Sequence, residues 1–526
     1  MPKQKNDHLL QLIRSLTKAE KRHFRLFAQR NQSSEAMLFL QLFDYLDQRG
    51  EYDEADLLKK MPAAKKSQLP NLKAHLNRQL LTSLRLLGKN QNEDIQLREM
   101  LDWAKVLYSK GLYRPSLDML AKTKERALQG HFSTLALEVV EFEKLIESQY
   151  ITNSIVGRVE VLSAQSLHLI EGIASTNRYA NLSLQMYALY LKTGFARNQA
   201  DYAQVRAAFH QLHPGIPFAE LDFWGQVYYC QSYVWLYHVG QAFTQCYRYS
   251  LAWVRLFEAV PMMKRLHPAL YLKGMHNLLG TLFNCLDHDR FVATLADFER
   301  FPEEIGGHTD RNVEGLFELY RYIHRINRHY LEGTFAEGLH LVPELTRCME
   351  QNTYNWDDHR VLVFHYRIAC LYFAVSDYEQ ALHYLYLIIN RKNPDYRADI
   401  QCFARILALI AHFELGNATL VEYQLKSVYR FLLKMEDLHA VQREILHFVR
   451  RTPGMLQAQV LDEFRQLHTT LIPLQADPYE RRPFLYLDII SWLESKLEKR
   501  PLPEIVREKF SGRAKANLSG RSAGIF

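Results

Sequence analysis

Residues that interrupt regular structure are scarce in this chain. Of its 526 residues, only 22 are glycine and 17 are proline. The Asn-Gly and Asp-Gly pairs that mark tight β-hairpins do not occur. The 48% hydrophobic content excludes wholesale disorder. The sequence therefore predicts an all-α protein with long helices joined by short turns.

Cysteine pairs with metal-ligand spacing are also missing. None of the six cysteines forms a Cys-x-x-Cys motif, and the 22 histidines include no His-Glu-x-x-His. Because every cysteine falls in an apolar helical pattern, we expect buried free thiols in a reducing cytosol, without a metal or other cofactor. The cysteines are Cys230, Cys246, Cys285, Cys348, Cys370 and Cys402.

Long apolar runs are missing too. No segment approaches the ~18 apolar residues of a membrane span, and residues 1–16 lack the apolar core of a signal peptide. Neither the glycine-rich loop of P-loop nucleotide sites nor the Gly-x-Ser-x-Gly elbow of hydrolases occurs. We therefore expect a cytoplasmic protein that is not an enzyme. An enzyme without a recognisable motif is kept as a third hypothesis, after the scaffold and the regulator described below.

Positive charge is concentrated at the N-terminus. Residues 1–90 contain 17 Lys and Arg against 9 Asp and Glu, an excess of 8, whereas the whole chain carries +7. Thr17 and Glu20 predict a capping box at the start of a helix. On that helix Lys18, Lys21, Arg22 and Arg25 share one face. This basic stripe is either a solvated face or a contact for an acidic partner, a membrane surface or nucleic acid.

Three further helices are predicted at 36–48, 53–61 and 67–88. They favour an N-terminal cap, with a helix-turn-helix as the alternative. In the alternative, Gln68, Asn71 and Lys73 are available for base contacts. The connection at 61–66 is long for that motif and contains no glycine.

The clearest repeat signal lies at 368–387. Ala369 and Tyr372 share one helix face, Asp377 and Tyr378 form a turn, and Ala381 opens a second helix. Small residues at 369 and 381 allow two helices to cross closely. The segment resembles the turn of a tetratricopeptide (TPR) hairpin. This resemblance implies a TPR-like α-solenoid, a superhelix of helical hairpins, over residues 91–450.

Weaker copies of the turn are spaced 39 to 49 residues apart. The TPR period is 34 residues, so these hairpins have longer helices, and a HEAT or armadillo array is the runner-up. The predicted turns lie at Gly111, Gly157, Ala200, Gly240, Asp289, Gly333, Asp377 and Gly416. Residues 451–510 are expected to form a helical cap, followed by a flexible basic tail at 511–526.

The opening segment at 15–24 resembles TPR-like proteins of Bacteroidetes-type bacteria, which implies a bacterial cytoplasmic setting and no particular mechanism.

The TPR resemblance also implies a binding face on the first helix of each hairpin. Carried onto this chain, that face includes Tyr320, Asn327, Tyr330, Tyr366 and Phe373. Asn327 matches the asparagine of the family's carboxylate clamp. The lysine expected four positions earlier is replaced by an isoleucine, which argues against co-chaperone-type binding of an acidic C-terminus.

An aromatic run at 223–237 favours a packed core, with a peptide groove as the alternative.

The leading function hypothesis is a protein–protein interaction scaffold or adaptor that holds a protein or peptide in the solenoid groove. The alternative is a regulator with a nucleic-acid-binding N-terminal module and a partner-sensing solenoid. Any nucleic-acid contact through the basic stripe is expected to be weak.

Overall fold

Helices account for the regular structure of the part of the chain that the computed structural model describes, and no strand occurs there. The all-α prediction is confirmed. The described residues are 8–29, 34–49, 53–88, 92–149, 157–196, 198–307, 310–391, 398–434, 439–452, 454–477, 479–480, 483–484 and 488–520.

Two compact units divide the chain, residues 1–170 and residues 171–526. The first unit contains α1 His8–Ser15, α2 Lys18–Gln29, α3 Ser34–Arg49, α4 Glu54–Lys60, α5 Leu69–Gly88, α6 Glu93–Ser109, α7 Tyr113–Gln129, α8 Ser133–Gln149 and the beginning of α9 Arg158–Thr193.

The second unit contains the remainder of α9 and the helices that follow it. These are α10 Gln199–Leu212, α11 Phe223–Val239, α12 Phe243–Ala259, α13 Pro261–Leu266, α14 Pro268–Asn284, α15 His288–Glu304, α16 Arg311–Glu332, α17 Phe335–Gly338, α18 Val342–Glu350, α19 Asp358–Ala374, α20 Tyr378–Ile389, α21 Ala398–Glu414, α22 Ala418–Lys434, α23 Ala440–Arg451, α24 Gln457–Ala476, α25 Ile489–Glu498 and α26 Leu502–Gly520.

The first unit holds two separate apolar cores. One joins buried residues of α1 to α5, and the other joins α6 to α9. The predicted boundary near residue 90 falls between these cores, although both belong to one compact unit. The capping box is present, since the Thr17 amide donates to Glu20 Oε2 at 2.6 Å and the Glu20 amide donates to Thr17 Oγ1 at 3.2 Å.

A buried carboxylate joins α7, α8 and α9. The Glu143 side chain is fully buried and lies 2.5 Å from Lys124 Nζ and 3.2 Å from an Arg158 guanidinium nitrogen. A buried ion pair adds little to the free energy of unfolding, because apolar residues in place of both partners are often as stable. Removing only the cations is costly, since it leaves the carboxylate buried without compensation.

Removing both cations, Lys124→Met together with Arg158→Met, leaves Glu143 uncompensated and is therefore expected to destabilise the first unit by about 3–5 kcal/mol. Lys122 lies exposed on the same helix, and Lys122→Met is the matched control, expected to change stability by less than about 0.5 kcal/mol. Urea unfolding of both variants measures the difference. Equal midpoints for the two would contradict the importance of the ion pair.

Helices adjacent in sequence pack together in the second unit. α11 packs on α12, α19 on α20 and α20 on α21, and α12 also packs on α14, the next helix but one. The predicted turn between α19 and α20 is present: Asp377 caps α20, and Ala369 and Ala381 are both fully buried. One departure from the repeat spacing is α9, a single helix of 36 residues where two helices were expected between the turns at 157 and 200. The intervals from 240 to 289 and from 333 to 377 depart in the other direction, since each contains three α-helices.

The C-terminal helices return along the second unit. Trp492 Nε1 donates to Glu414 Oε1 at 2.6 Å, Arg507 Nε donates to the Gly333 carbonyl at 3.2 Å, and Phe510 packs on His288. Going along α25 and α26, these contacts are made first with α21, then with the end of α16, and last with α15, which is the reverse of the chain order. Residues 451–510 share the large core of the unit, and α26 continues as a helix to Gly520, inside the predicted tail. Residues 521–526 lie outside the described part.

Candidate functional site

Acidic residues are missing from two helices of the second unit. Neither α11 nor α14 contains Asp or Glu, and α19 contains one, Asp358, in its first turn. Of these helices, α14 carries Lys273 and His276, and α19 carries Arg360 and Arg367. We call these four residues the cationic face.

A hydrogen-bonded chain connects the cationic face to α16. An Arg367 guanidinium N–H donates to Asn327 Oδ1, which fixes the orientation of that amide. Asn327 Nδ2 then donates to His324 Nδ1 at 3.4 Å. A neutral His324 therefore carries its proton on Nε2 and donates to His276 Nδ1 at 2.9 Å. His276 in turn keeps its proton on Nε2, which makes that N–H the terminal donor of the chain.

Both imidazoles of this chain are held neutral. His324 is fully buried, and burial followed by the proximity of His276 and Arg367 lowers its pKa well below the ordinary value. Burial, and then the positive charge of Arg367, lowers the pKa of His276 to about 3. The direction of the donor chain is therefore constant at neutral pH.

Lys273 and Arg360 supply the outer part of the cationic face. Lys273 lies one helical turn before His276 and reaches solvent, yet the surrounding protein and the charge of Arg360 lower its pKa. The Arg360 charge also acts on His276 and Tyr320. Arg360 Nε lies 3.6 Å from a carboxylate oxygen of Asp357, an exposed residue at the start of α19. The face thus carries more positive than negative charge.

The residues expected to line the groove are mostly buried. Tyr320, Asn327, Tyr366 and Phe373 are at most 7% exposed. Tyr330 is half-buried and donates to the Arg367 carbonyl at 2.5 Å. Tyr320 stacks on the His276 ring at 4.0 Å between centroids. These side chains support the cationic face from behind and do not present an open surface themselves.

Sequence reasoning did not find the four residues of the cationic face. His276 and His324 are 48 positions apart, so no local spacing reveals their contact. The one available signal was compositional, namely that α14 contains basic residues without Asp or Glu and that α19 contains two arginines with the single acidic residue Asp358. Such a signal becomes informative only when the helices are known to be neighbours.

The basic stripe of α2 is half neutralised. Lys21 lies 2.6 Å from Asp47, and Arg25 pairs with Asp44 at 2.8 Å and with Asp47 at 3.0 Å. Lys18 and Arg22 are exposed. The acidic residues belong to α3, which packs on α2. Two of the four cations therefore serve helix packing.

Helices α3, α4 and α5 match the predicted bounds of the N-terminal module to within a few residues. A short 3-10 turn at Lys66–Gln68 precedes α5. The bounds fit both the cap and the helix-turn-helix interpretation, and Gln68 and Asn71 are exposed.

The aromatic run of α11 is packed ring against ring. Tyr190 stacks on Trp235 at 5.3 Å, and Tyr233 stacks on Tyr249 at 4.6 Å. These contacts agree with the core interpretation. Burial raises the pKa of Tyr249 to about 12, so its phenol stays protonated.

Among the described residues, no group of three or more His, Cys, Asp or Glu side chains is placed to hold a metal ion, and no helix is long and apolar enough to cross a membrane. Four cysteines are buried and Cys370 is partly buried. Cys285 is exposed, because it follows the last residue of α14, so the expectation of burial is wrong for this cysteine.

Comparisons with family models, with curated proteins and with solved structures find no match to this chain.

Proposed function

We propose that the protein is a non-enzymatic scaffold whose second unit is a TPR-like solenoid and binds a segment of a partner protein. The observation that carries the proposal is the cationic face, in which α14 and α19 bring Lys273, His276, Arg360 and Arg367 together over α16. Helices adjacent in sequence pack on each other, which supports a repeat architecture.

Rigidity supports a binding role for this face. Arg367 is held by Asn327 and its backbone carbonyl accepts from Tyr330, while His276 is fixed between Tyr320 and His324. A preorganised set of donors loses little conformational freedom on binding, and this increases the affinity for a fitting ligand.

The test is affinity isolation from the cells that encode the chain. Wild type is compared with Lys273→Glu/Arg360→Glu and with the control Arg248→Glu/Arg255→Glu, which reverses two exposed charges on α12. We expect one protein held stoichiometrically by wild type and by the control variant, and lost from the first variant. Equal recovery with both variants contradicts the proposal.

The alternative is a regulator whose N-terminal module binds nucleic acid. Exposed Lys18 and Arg22 favour a weak, sequence-independent contact, because phosphate contacts carry no base readout. Lys21 and Arg25 are already paired with α3.

Because two cations remain, duplex DNA affinity is expected to fall with salt at a log–log slope of about −2, compared with about −4 for the complete stripe. Fluorescence titration at several salt concentrations measures the slope. Lys18→Glu/Arg22→Glu is expected to abolish the binding, and Lys59→Glu/Lys60→Glu on α4 is the matched control. A slope near −4 would contradict the pairing seen between α2 and α3.

A further inference from the structure

The kind of ligand follows from the charges of the cationic face. Lys273, Arg360 and Arg367 are cations, and the charges of both arginines act on His276, which lies one turn after Lys273 on α14. One carboxylate, Asp357, approaches Arg360, and its Oδ1 already accepts from the Arg360 amide at 2.9 Å as the cap of α19. Lys273, Arg360 and Arg367 therefore give the face three positive charges, of which Asp357 offsets one at neutral pH.

The donors differ in geometry. Lysine is a compact point charge, arginine presents a planar fork, and the His276 Nε2–H is a neutral donor at the end of the Asn327–His324 chain. Three kinds of donor converging from two helices exceed what one carboxylate, with two oxygens and a single charge, can use. A phosphomonoester has three terminal oxygens and a charge of about −1.5 to −2 at pH 7.

A nucleic-acid strand fits the face less well. Binding of single strands combines cations with aromatic rings on which bases stack. Tyr320 is covered by the His276 ring at 4.0 Å. Tyr187, whose charge acts on Tyr320, is 38% exposed and packs on Trp235 at 4.8 Å. The site therefore offers one partly exposed ring, fewer than the successive stacking platforms that a single strand uses.

We propose that Lys273, His276, Arg360 and Arg367 bind the phosphorylated side chain of a partner protein segment. The inference rests on the proposed scaffold function and adds the chemistry of the ligand. Lys273 and Arg360 contact the phosphate oxygens from the solvent side, and the His276 Nε2–H donates from the floor of the site. Arg367 holds the donor chain in place and adds its charge.

The test uses three pools of short fluorescent peptides with randomised flanks around a central phosphoserine, serine or glutamate. We expect anisotropy titrations to show binding of the phosphoserine pool by the full chain, at least about tenfold tighter than the serine and glutamate pools. Lys273→Gln/Arg360→Gln is expected to lose that preference. The control Arg248→Gln/Arg255→Gln, on the outer surface of α12, is expected to keep it.

Each other outcome overturns the inference in a distinct way. Equal binding of the phosphoserine and glutamate pools assigns the face to acidic segments in general. Inorganic phosphate binding as tightly as the phosphoserine pool assigns it to a small anion. Single-stranded DNA that displaces the phosphoserine pool assigns it to nucleic acid. If no pool binds but a stoichiometric partner depends on Lys273 and Arg360, the scaffold function is supported and the inference that the ligand is a phosphorylated side chain is rejected.

Discussion

Replacing Ala381 by arginine is expected to destabilise the second unit by about 4–8 kcal/mol, because the change adds both volume and an uncompensated buried charge. Ala381 is fully buried where α20 packs on α19. The neighbouring carbon atoms leave no space for a long side chain, and the guanidinium has no route to water without separating the two helices.

Gln380→Arg is the matched control, since Gln380 is exposed at the next position of the same helix. Its cost is expected to stay below about 0.5 kcal/mol. Thermal and urea unfolding followed by circular dichroism compare the two variants. If the Ala381→Arg variant melts at the wild-type temperature, Ala381 does not lie in the contact between α19 and α20.

Acidification is expected to destabilise the second unit steeply between pH 6.5 and about 4. Burial lowers the pKa of His276 to about 3 and that of His365 to about 4, and it lowers that of His324 further. In the unfolded chain these histidines take up protons below about pH 6.5. Unfolding is then coupled to proton uptake, so stability is fully present above pH 6.5 and falls as the pH decreases.

The three protons taken up by His276, His324 and His365 correspond to about 4 kcal/mol of lost stability for each pH unit in that window. Burial also lowers the pKa of His213, His329 and His412, so these residues steepen the slope further. Urea midpoints measured at closely spaced pH values give the slope. His324→Asn and His365→Asn are each expected to make the slope shallower by about one proton. A stability that is constant from pH 7 to pH 5 contradicts neutral, buried imidazoles in this core.

Local signals in the sequence predicted local features well. The Thr17–Glu20 pair predicted its capping box, and the small residues Ala369 and Ala381 predicted the hairpin of α19 and α20. Each of these features depends on residues at most twelve positions apart, where side-chain chemistry and helix geometry suffice.

The candidate site depended on contacts that the sequence does not encode locally. Tyr320 and Asn327 were expected on an open face, but the helices that cover them are determined by packing across 48 positions of chain. These buried residues instead hold His276 and Arg367 in place. In the same way, the acidic residues of α3 that neutralise half of the basic stripe lie about 20 positions away from it.

The central claim is that a partner binds at the cationic face, and site-specific photo-crosslinking tests it most directly. A benzophenone amino acid is placed at Asn277, which follows His276 on α14, and in a second variant at Arg255 on α12. Irradiation in the cells that encode the chain is expected to give one covalent protein adduct from position 277 and none from position 255. Adducts of the same protein from position 255 alone, with none from position 277, would contradict the account.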